Sequence, residues 1–374
     1  MAVLAISTAV TFSAGCGIVD TISENLFSAV GLTDTGTVIS KRANIRSSYA
    51  VVAADILEVK RNDQLEVLEE FEDDQKVLWY RVRAHDEDET EGWIEAQHVI
   101  KEESLEKSRK LLQEDAAKQT QALGQLRAES NLRLTPKVEE GNILLRLDNG
   151  ASFEIVEWVY VTKDKSEEEK TENEEIKAAE EDKPKEPAKL SETYDTWYKV
   201  RLDPTVSPAP MGWVFGGQVS LQIPGDIVYF QSNDRKFVTW HRIDEAAPQD
   251  VKPSDPGASN ATPGSWVILT RTDEVKAIEG VEPEFDGILI LGFDKYDQQH
   301  YTVWNSKREK LDIWGRLPLR MEGEGDNKSF IVNIRNSSSG QMEEKRFVLF
   351  RDKSKRIKLT APEGLSKIKD DKGK

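Results

Sequence analysis

Four short blocks of residues occur twice in this chain, in the same order. The first copy runs Ala43-Asn44-Ile45-Arg46-Ser47, Leu65-Glu66-Val67-Leu68, Trp79-Tyr80-Arg81-Val82-Arg83, and Gly92-Trp93-Ile94 with Val99. The second runs Ser130-Asn131-Leu132-Arg133-Leu134, Phe153-Glu154-Ile155-Val156, Trp197-Tyr198-Lys199-Val200-Arg201, and Gly212-Trp213-Val214 with Val219. The spacing from glycine to the final valine is the same in both. Self-similarity of this kind marks a duplicated structural unit. Each block is rich in Val, Ile, Trp and Tyr and is bounded by acidic or glycine-containing turns, so each reads as a short strand. So few residues with about five strands cannot form a sandwich. A small barrel that covers its own edges is the expected solution, and the chain is expected to be all-β.

The order of blocks resembles the bacterial SH3 domain (SH3b), which opens on N-[IV]-R, has a central strand like WYKVR and closes on GWV. The resemblance covers residues 34–101 and 124–222. In the first copy Ser47-Ser48-Tyr49 stands where the family usually has a proline; the second copy has Thr135-Pro136. The resemblance implies two small SH3-like barrels that serve as binding modules, with cell-wall peptide, glycan or another envelope protein as partner.

Strand alternation assigns faces within the central block. Tyr80 and Val82 share one side, as do Tyr198 and Val200, and the valine side is the expected core. Trp79, Arg81 and Arg83 then lie opposite, as do Trp197, Lys199 and Arg201. An indole on a wet face is costly unless something packs on it. These six residues are therefore the candidate ligand contacts: the tryptophans stack, and the cations pair with carboxylates. Trp93 and Trp213, each after a glycine at a strand start, are expected to be structural.

Between the copies, residues 102–123 are rich in Lys, Glu, Gln, Leu and Ala, which predicts a helical spacer. Residues 163–192 carry hardly any large apolar side chain and are expected to be a disordered acidic insertion in the second module. Residues 224–362 form a third region, expected to be an antiparallel β-barrel or curled sheet. Its strand candidates are Ile227–Phe230, Phe237–Trp240, Trp266–Thr270, Ile288–Phe293, Tyr301–Trp304, Phe330–Ile334, Phe347–Phe350 and Ile357–Leu359. Turns are expected at Ser232-Asn233-Asp234 and from Asn336 to Gly340, and Pro248–Pro263 reads as an exposed loop. Trp240, Trp266 and Trp304 are assigned to core packing there. Residues 363–374 read as a flexible basic tail.

The N-terminus reads as an address. Met1–Phe12 is an uncharged apolar run, too short to span a bilayer, and Ser13-Ala14-Gly15 precedes Cys16. This is similar to a bacterial lipobox, although Ser13 stands where lipoboxes prefer an aliphatic residue and no basic residue precedes the run. A translation start upstream of Met1 would supply the missing basic residues. The resemblance implies a signal peptide over 1–15, a lipidated linker over 16–33 and membrane attachment through Cys16. Gly17, in place of an aspartate, favours the outer membrane in a diderm.

Catalysis finds little support. Cys16 is the sole cysteine and sits in the signal region, which removes cysteine nucleophiles, disulfides and multi-cysteine zinc sites. His85, His98, His241 and His300 have no metal-binding spacing, and no G-x-S-x-G elbow or phosphate loop occurs. No cofactor or metal is expected. A net charge of −17 makes nucleic acid a poor partner. The expected protein is a non-enzymatic envelope lipoprotein. Two alternatives stay open: a carrier or sensor holding a small apolar molecule in the third region, and a cryptic glycan hydrolase. The latter would need two carboxylates facing one cleft.

Overall fold

In the computed structural model, residues 34–139, 141–163, 194–232, 235–245, 263–272, 277–278 and 281–368 are described, and they are almost wholly antiparallel β-structure. Cys16, the apolar N-terminal run, the insertion from residue 164 onward, most of Pro248–Pro263 and the end of the basic tail lie outside these residues.

The first repeat supplies β1 (Asp34–Val38), β2 (Arg42–Arg46), β3 (Asp55–Lys60), β4 (Gln64–Glu72), β5 (Leu78–Ala84), β6 (Glu91–Glu95) and β7 (Val99–Lys101). They form one sheet in the order β3-β2-β6-β5-β4-β1-β7. Val59 from one edge and Val99 from the other share a core with Val38, Ile45, Leu65, Val82 and Ile94. A flat sheet cannot bring its two edges to one core, so the sheet curls around these side chains.

The second repeat supplies β8 (Ala122–Leu126), β9 (Ser130–Arg133), β10 (Ile143–Leu147), β11 (Ser152–Thr162), β12 (Tyr194–Arg201), β13 (Met211–Phe215) and β14 (Val219–Leu221). Their order, β10-β9-β13-β12-β11-β8-β14, is the first order position for position. The registers agree as well. Trp79 faces Glu95 and Val82 faces Gly92, while Trp197 faces Phe215 and Val200 faces Gly212. A bulge after Val67 in β4 has its counterpart after Ile155 in β11.

The glycine of each Gly-Trp block is explained by close approach. A β-carbon on Gly92 would lie 2.5 Å from the Arg46 carbonyl oxygen, and one on Gly212 would lie 2.7 Å from Leu132 and 2.9 Å from the Arg133 carbonyl. Only a residue without a side chain lets β6 lie against β2, and β13 against β9, at this distance.

Helix α1 covers Glu102–Glu114, with acidic residues in its first turn where the helix dipole favours them. The predicted spacer is therefore too long at its C-terminal end. Ala122, Gly124 and Leu126 point inward while Leu123 is half exposed, so a period of two replaces the helical period and β8 belongs to the second module.

The chain divides into two compact units, 1–106 and 107–374. Within the second, the third region forms two four-stranded meanders. One is β15 (Lys236–Glu245), β16 (Gly264–Arg271), β17 (Gly287–Asp294) and β18 (Gln299–Asn305). The other is β19 (Gly315–Glu324), β20 (Asn327–Arg335), β21 (Met342–Arg351) and β22 (Ile357–Thr360). One core joins them, with Val267, Leu269, Phe285 and Ile290 on one side and Leu319, Phe330, Val332 and Phe347 on the other. Two strand assignments change. Ile227–Phe230 is not a strand: Val228–Phe230 is a 3-10 turn, started by Ile227 and Val228 donating to the Pro224 carbonyl. The missing strand is β19, whose charged residues and Pro318 mask its pattern. The start of the tail is also anchored, since Ile368 donates to the Lys310 carbonyl and Asp312 to that of Ser366.

The edge strands β15 and β19 are capped from the segment before β8. The Gln121 side chain donates to the Leu319 carbonyl at 3.0 Å and accepts from its N–H at 2.9 Å. Gln119 does the same to Met321, at 2.9 and 2.8 Å. The Gln121 carbonyl accepts from the Thr239 hydroxyl and the Trp240 N–H. Two amide side chains thus act as a surrogate strand on an otherwise open edge.

Replacing Gly92 or Gly212 by alanine is expected to lower stability by about 1–3 kcal/mol, as overpacking does. Urea denaturation of each variant measures this, and a loss below about 0.5 kcal/mol, within the range of an ordinary surface substitution, would remove the close-approach explanation.

Candidate functional site

The six residues singled out on the outer face of β5 and β12 occupy that face, but they are not free. Trp79 is 4% exposed. Its Nε1 donates to Asp73 at 3.1 Å, and the Arg46 guanidinium lies 5.8 Å from its ring centre. Trp197 is also 4% exposed and packs edge-on against Phe215 at 5.6 Å. The expectation that these indoles stand in solvent is therefore corrected. The outer face at the strand start is covered by neighbouring strands and by the turn carrying Asp73, which alternation within one strand cannot reveal.

The cations have internal partners too. Arg81 pairs with Glu91 at 3.0 Å and Glu69 at 3.8 Å, and Arg83 with Glu91 at 2.6 Å and Glu66 at 2.9 Å. Arg201 pairs with Glu154 at 3.0 Å and donates to the Lys118 carbonyl at 3.1 Å. Lys199 is buried, bonds Asp115 at 2.5 Å and lies 5.6 Å over Trp213. Burial pushes the Asp115 carboxyl up, but hydrogen bonds from Lys199 and Lys118 outweigh that and hold it below its usual range. These cations tie the strands of each module together.

A different aromatic group is available in the first module. Tyr49 lies in the β2–β3 loop, Phe71 at the end of β4 and Trp93 in β6. Tyr49 is 4.3 Å from Phe71 and 5.3 Å from Trp93, and Phe71 is 6.0 Å from Trp93. All three rings are partly exposed. The same loop carries Val51 and Val52, at 85% and 94% exposure. Two valines at a loop tip beside three open rings make an apolar surface of a kind that soluble domains keep small.

In the second module a cleft of about 520 Å3 is bordered by Asn131, Arg133, Arg146, Trp197, Phe215 and Gln218. This volume is typical of small-ligand sites.

In the third region the described core is packed with aromatic side chains. Phe330 and Phe347 stack at 4.6 Å, and Trp304 packs on Phe347 at 5.7 Å. Trp240 and Trp266 are buried, and the Trp266 Nε1 donates to Asp226 at 2.8 Å. Asp244 and Asp326 flank a recess of about 20 Å3, bridged by Arg351, too small for a sugar ring. His241 in β15 has its Nε2 enclosed without a hydrogen-bond partner, and burial lowers its pKa to about 4. Among the described residues no cluster of three or more His, Cys, Asp or Glu has metal-binding geometry, and no helix is long and apolar enough to cross a membrane.

Comparison with protein-family models returns no match, and comparison with curated protein sequences returns none.

Two outcomes follow from these environments. Lys199→Gln leaves the Asp115 charge buried without its main partner and should cost about 3–5 kcal/mol in urea denaturation; a near-neutral result would mean that Lys199 is not a structural cation. For His241, the folded state holds the ring neutral, so its contribution is present above pH 6.5 and is lost as pH falls toward about 4. His241→Phe should therefore lose about 2–3 kcal/mol less than the parent between pH 7.5 and 4.5. Parallel pH profiles for the two proteins would refute this.

Proposed function

We propose that this chain is a non-catalytic cell-envelope lipoprotein, tethered to a membrane through Cys16, whose duplicated SH3b-like modules bind the peptide or glycan of the cell wall. The observation that carries the reading is the aromatic platform of the first module, Tyr49, Phe71 and Trp93, beside the exposed Val51-Val52 tip. Partly open aromatic rings offer flat apolar faces with polar edges. That chemistry suits sugar rings and peptide planes and requires no charge on the ligand. The platform lies between a loop and two strands that are part of the repeated unit, so a stiff scaffold positions it. Tyr49, Phe71 and Trp93 replace the Trp79 and Trp197 pair as the proposed contacts, because those two indoles are already packed by protein atoms.

The lipid anchor rests on the apolar run before Cys16 and on Cys16 being the sole cysteine. In a diderm, Gly17 in the second position favours the outer over the inner membrane. A diacylated chain end places the modules within reach of the wall.

The test is retention on purified sacculi. The variant Tyr49→Ala/Val51→Ser/Val52→Ser changes only loop residues, and it should lose about tenfold or more in retention with an unchanged urea transition. Undiminished retention would end the assignment of this platform. Mass spectrometry of the mature N-terminus should find a diacylated Cys16; an unmodified Cys16 would end the anchor.

A further inference from the structure

We infer that the cleft in the second module binds a carboxylate, the free C-terminus of a short peptide, through Arg133. This goes beyond the Tyr49 platform of the wall-binding reading, since it assigns the second module its own surface and its own chemistry.

Two arginines hold equivalent positions in the two modules. Arg46 closes β2 and Arg133 closes β9, each opposite the tryptophan of a Gly-Trp block. In the first module Arg46 donates to the carbonyls of Val51 at 2.9 Å and Ala53 at 3.1 Å, and Asp55 lies 3.6 Å away. Its charge is matched and its donors hold the β2–β3 loop. In the second module both jobs have moved. The residue in register with Arg133 is Ile143, where Asp55 is in register with Arg46. The β9–β10 loop is held instead by Asn142, which accepts from the Thr135 N–H at 2.9 Å and donates to the carbonyls of Thr135 at 3.1 Å and Lys137 at 2.8 Å.

Among the described residues, Arg133 has neither the loop carbonyls nor the carboxylate that Arg46 has. It is 9% exposed, and its one hydrogen bond among the described residues is a 3.5 Å contact to the Glu139 carbonyl. A guanidinium has five N–H donors and a fixed charge, and the Arg133 side chain borders the cleft, where its remaining donors can meet a ligand. A ligand carboxylate offers the two parallel acceptors that fit the guanidinium fork.

The surroundings agree. The two acids at the cleft are already matched, Glu129 to Arg146 at 2.6 Å and Asp195 to Lys163 at 3.9 Å. Neither competes for Arg133. Val138 and Phe215 give the cleft apolar lining for a small side chain, and Asn131 and Gln218 bring amides that can pair with a peptide bond. A cleft of about 520 Å3 takes two or three small residues.

Calorimetric titration of the full chain decides the matter. The probes are N-acetyl-alanyl-alanine, its C-terminal amide and glucuronate. The acid should bind about tenfold or more tighter than the amide, as loss of a charge-assisted pair requires. Ile143→Asp places a carboxylate in register with Arg133, as in the first module, and should abolish that preference. Ile143 is half exposed, so the substitution leaves the core intact, and Arg133→Gln should give the same result. Equal affinity for acid and amide, a preference that survives in Ile143→Asp, or binding of glucuronate in place of the dipeptide would each overturn the proposal. None of these outcomes depends on sacculus retention through Tyr49.

Discussion

The close contact between the Gly-Trp strand and the strand that opens each repeat sets the rest of the module in place. The Arg46 carbonyl fills the space that a side chain on Gly92 would occupy, and the Arg133 carbonyl does so at Gly212. Once those backbones touch, β6 must carry the sheet round from β2 to β5, and the two far edges meet over Val59 and Val99. A short β-segment has too little area to bury a flat face, so curling is how it obtains a core at all. The register then follows. With Val82 opposite Gly92 and Val200 opposite Gly212, every inward side chain of the central strand is fixed by the period of two.

What could be read from the chain divides along the same line. The duplication, the strand blocks and the all-β class were legible, because each depends on local alternation and on spacing that two copies repeat. The fates of Trp79 and Lys199 were not. Alternation places them on the outer face correctly, but it says nothing about what covers that face. Asp73 reaches Trp79 from a turn, and Asp115 reaches Lys199 from the end of a helix far away in sequence. β19 was missed for a related reason. Its outward residues are charged and Pro318 interrupts the run, so its one deeply buried leucine, Leu319, gives no pattern by itself.

Duplication also creates the chance to lose an interaction in one copy and keep it in the other. In the first module an arginine serves the loop, a carboxylate and an indole together. In the second, Asn142 supports the loop and Ile143 supplies no charge, yet the arginine persists. Among the described residues that guanidinium makes one long contact, to the Glu139 carbonyl, and borders the cleft, which is why the proposed ligand is placed there. The two modules therefore share a frame but offer different chemistry, one a partly open aromatic surface and the other a cleft bordered by an arginine.

The third region is tied to the second module through hydrogen bonds to its backbone. Its core is filled by stacked phenylalanines, and its polar groups are spent on holding strands together. Its open edge is closed by Gln119 and Gln121, which immediately precede the first strand of the second module. Neutral amides suit this task because each both donates and accepts, matching the alternating groups of a strand edge without introducing charge beside a hydrophobic core. The consequence is mechanical. The segment that begins the second module cannot be displaced without exposing backbone groups of β19 and β15, so the cleft beside Arg133 is carried on a base that resists local opening. The proposed carboxylate ligand is small, and a small ligand needs such a base. With few contacts to spend on ordering the protein, it binds only where the site is already formed.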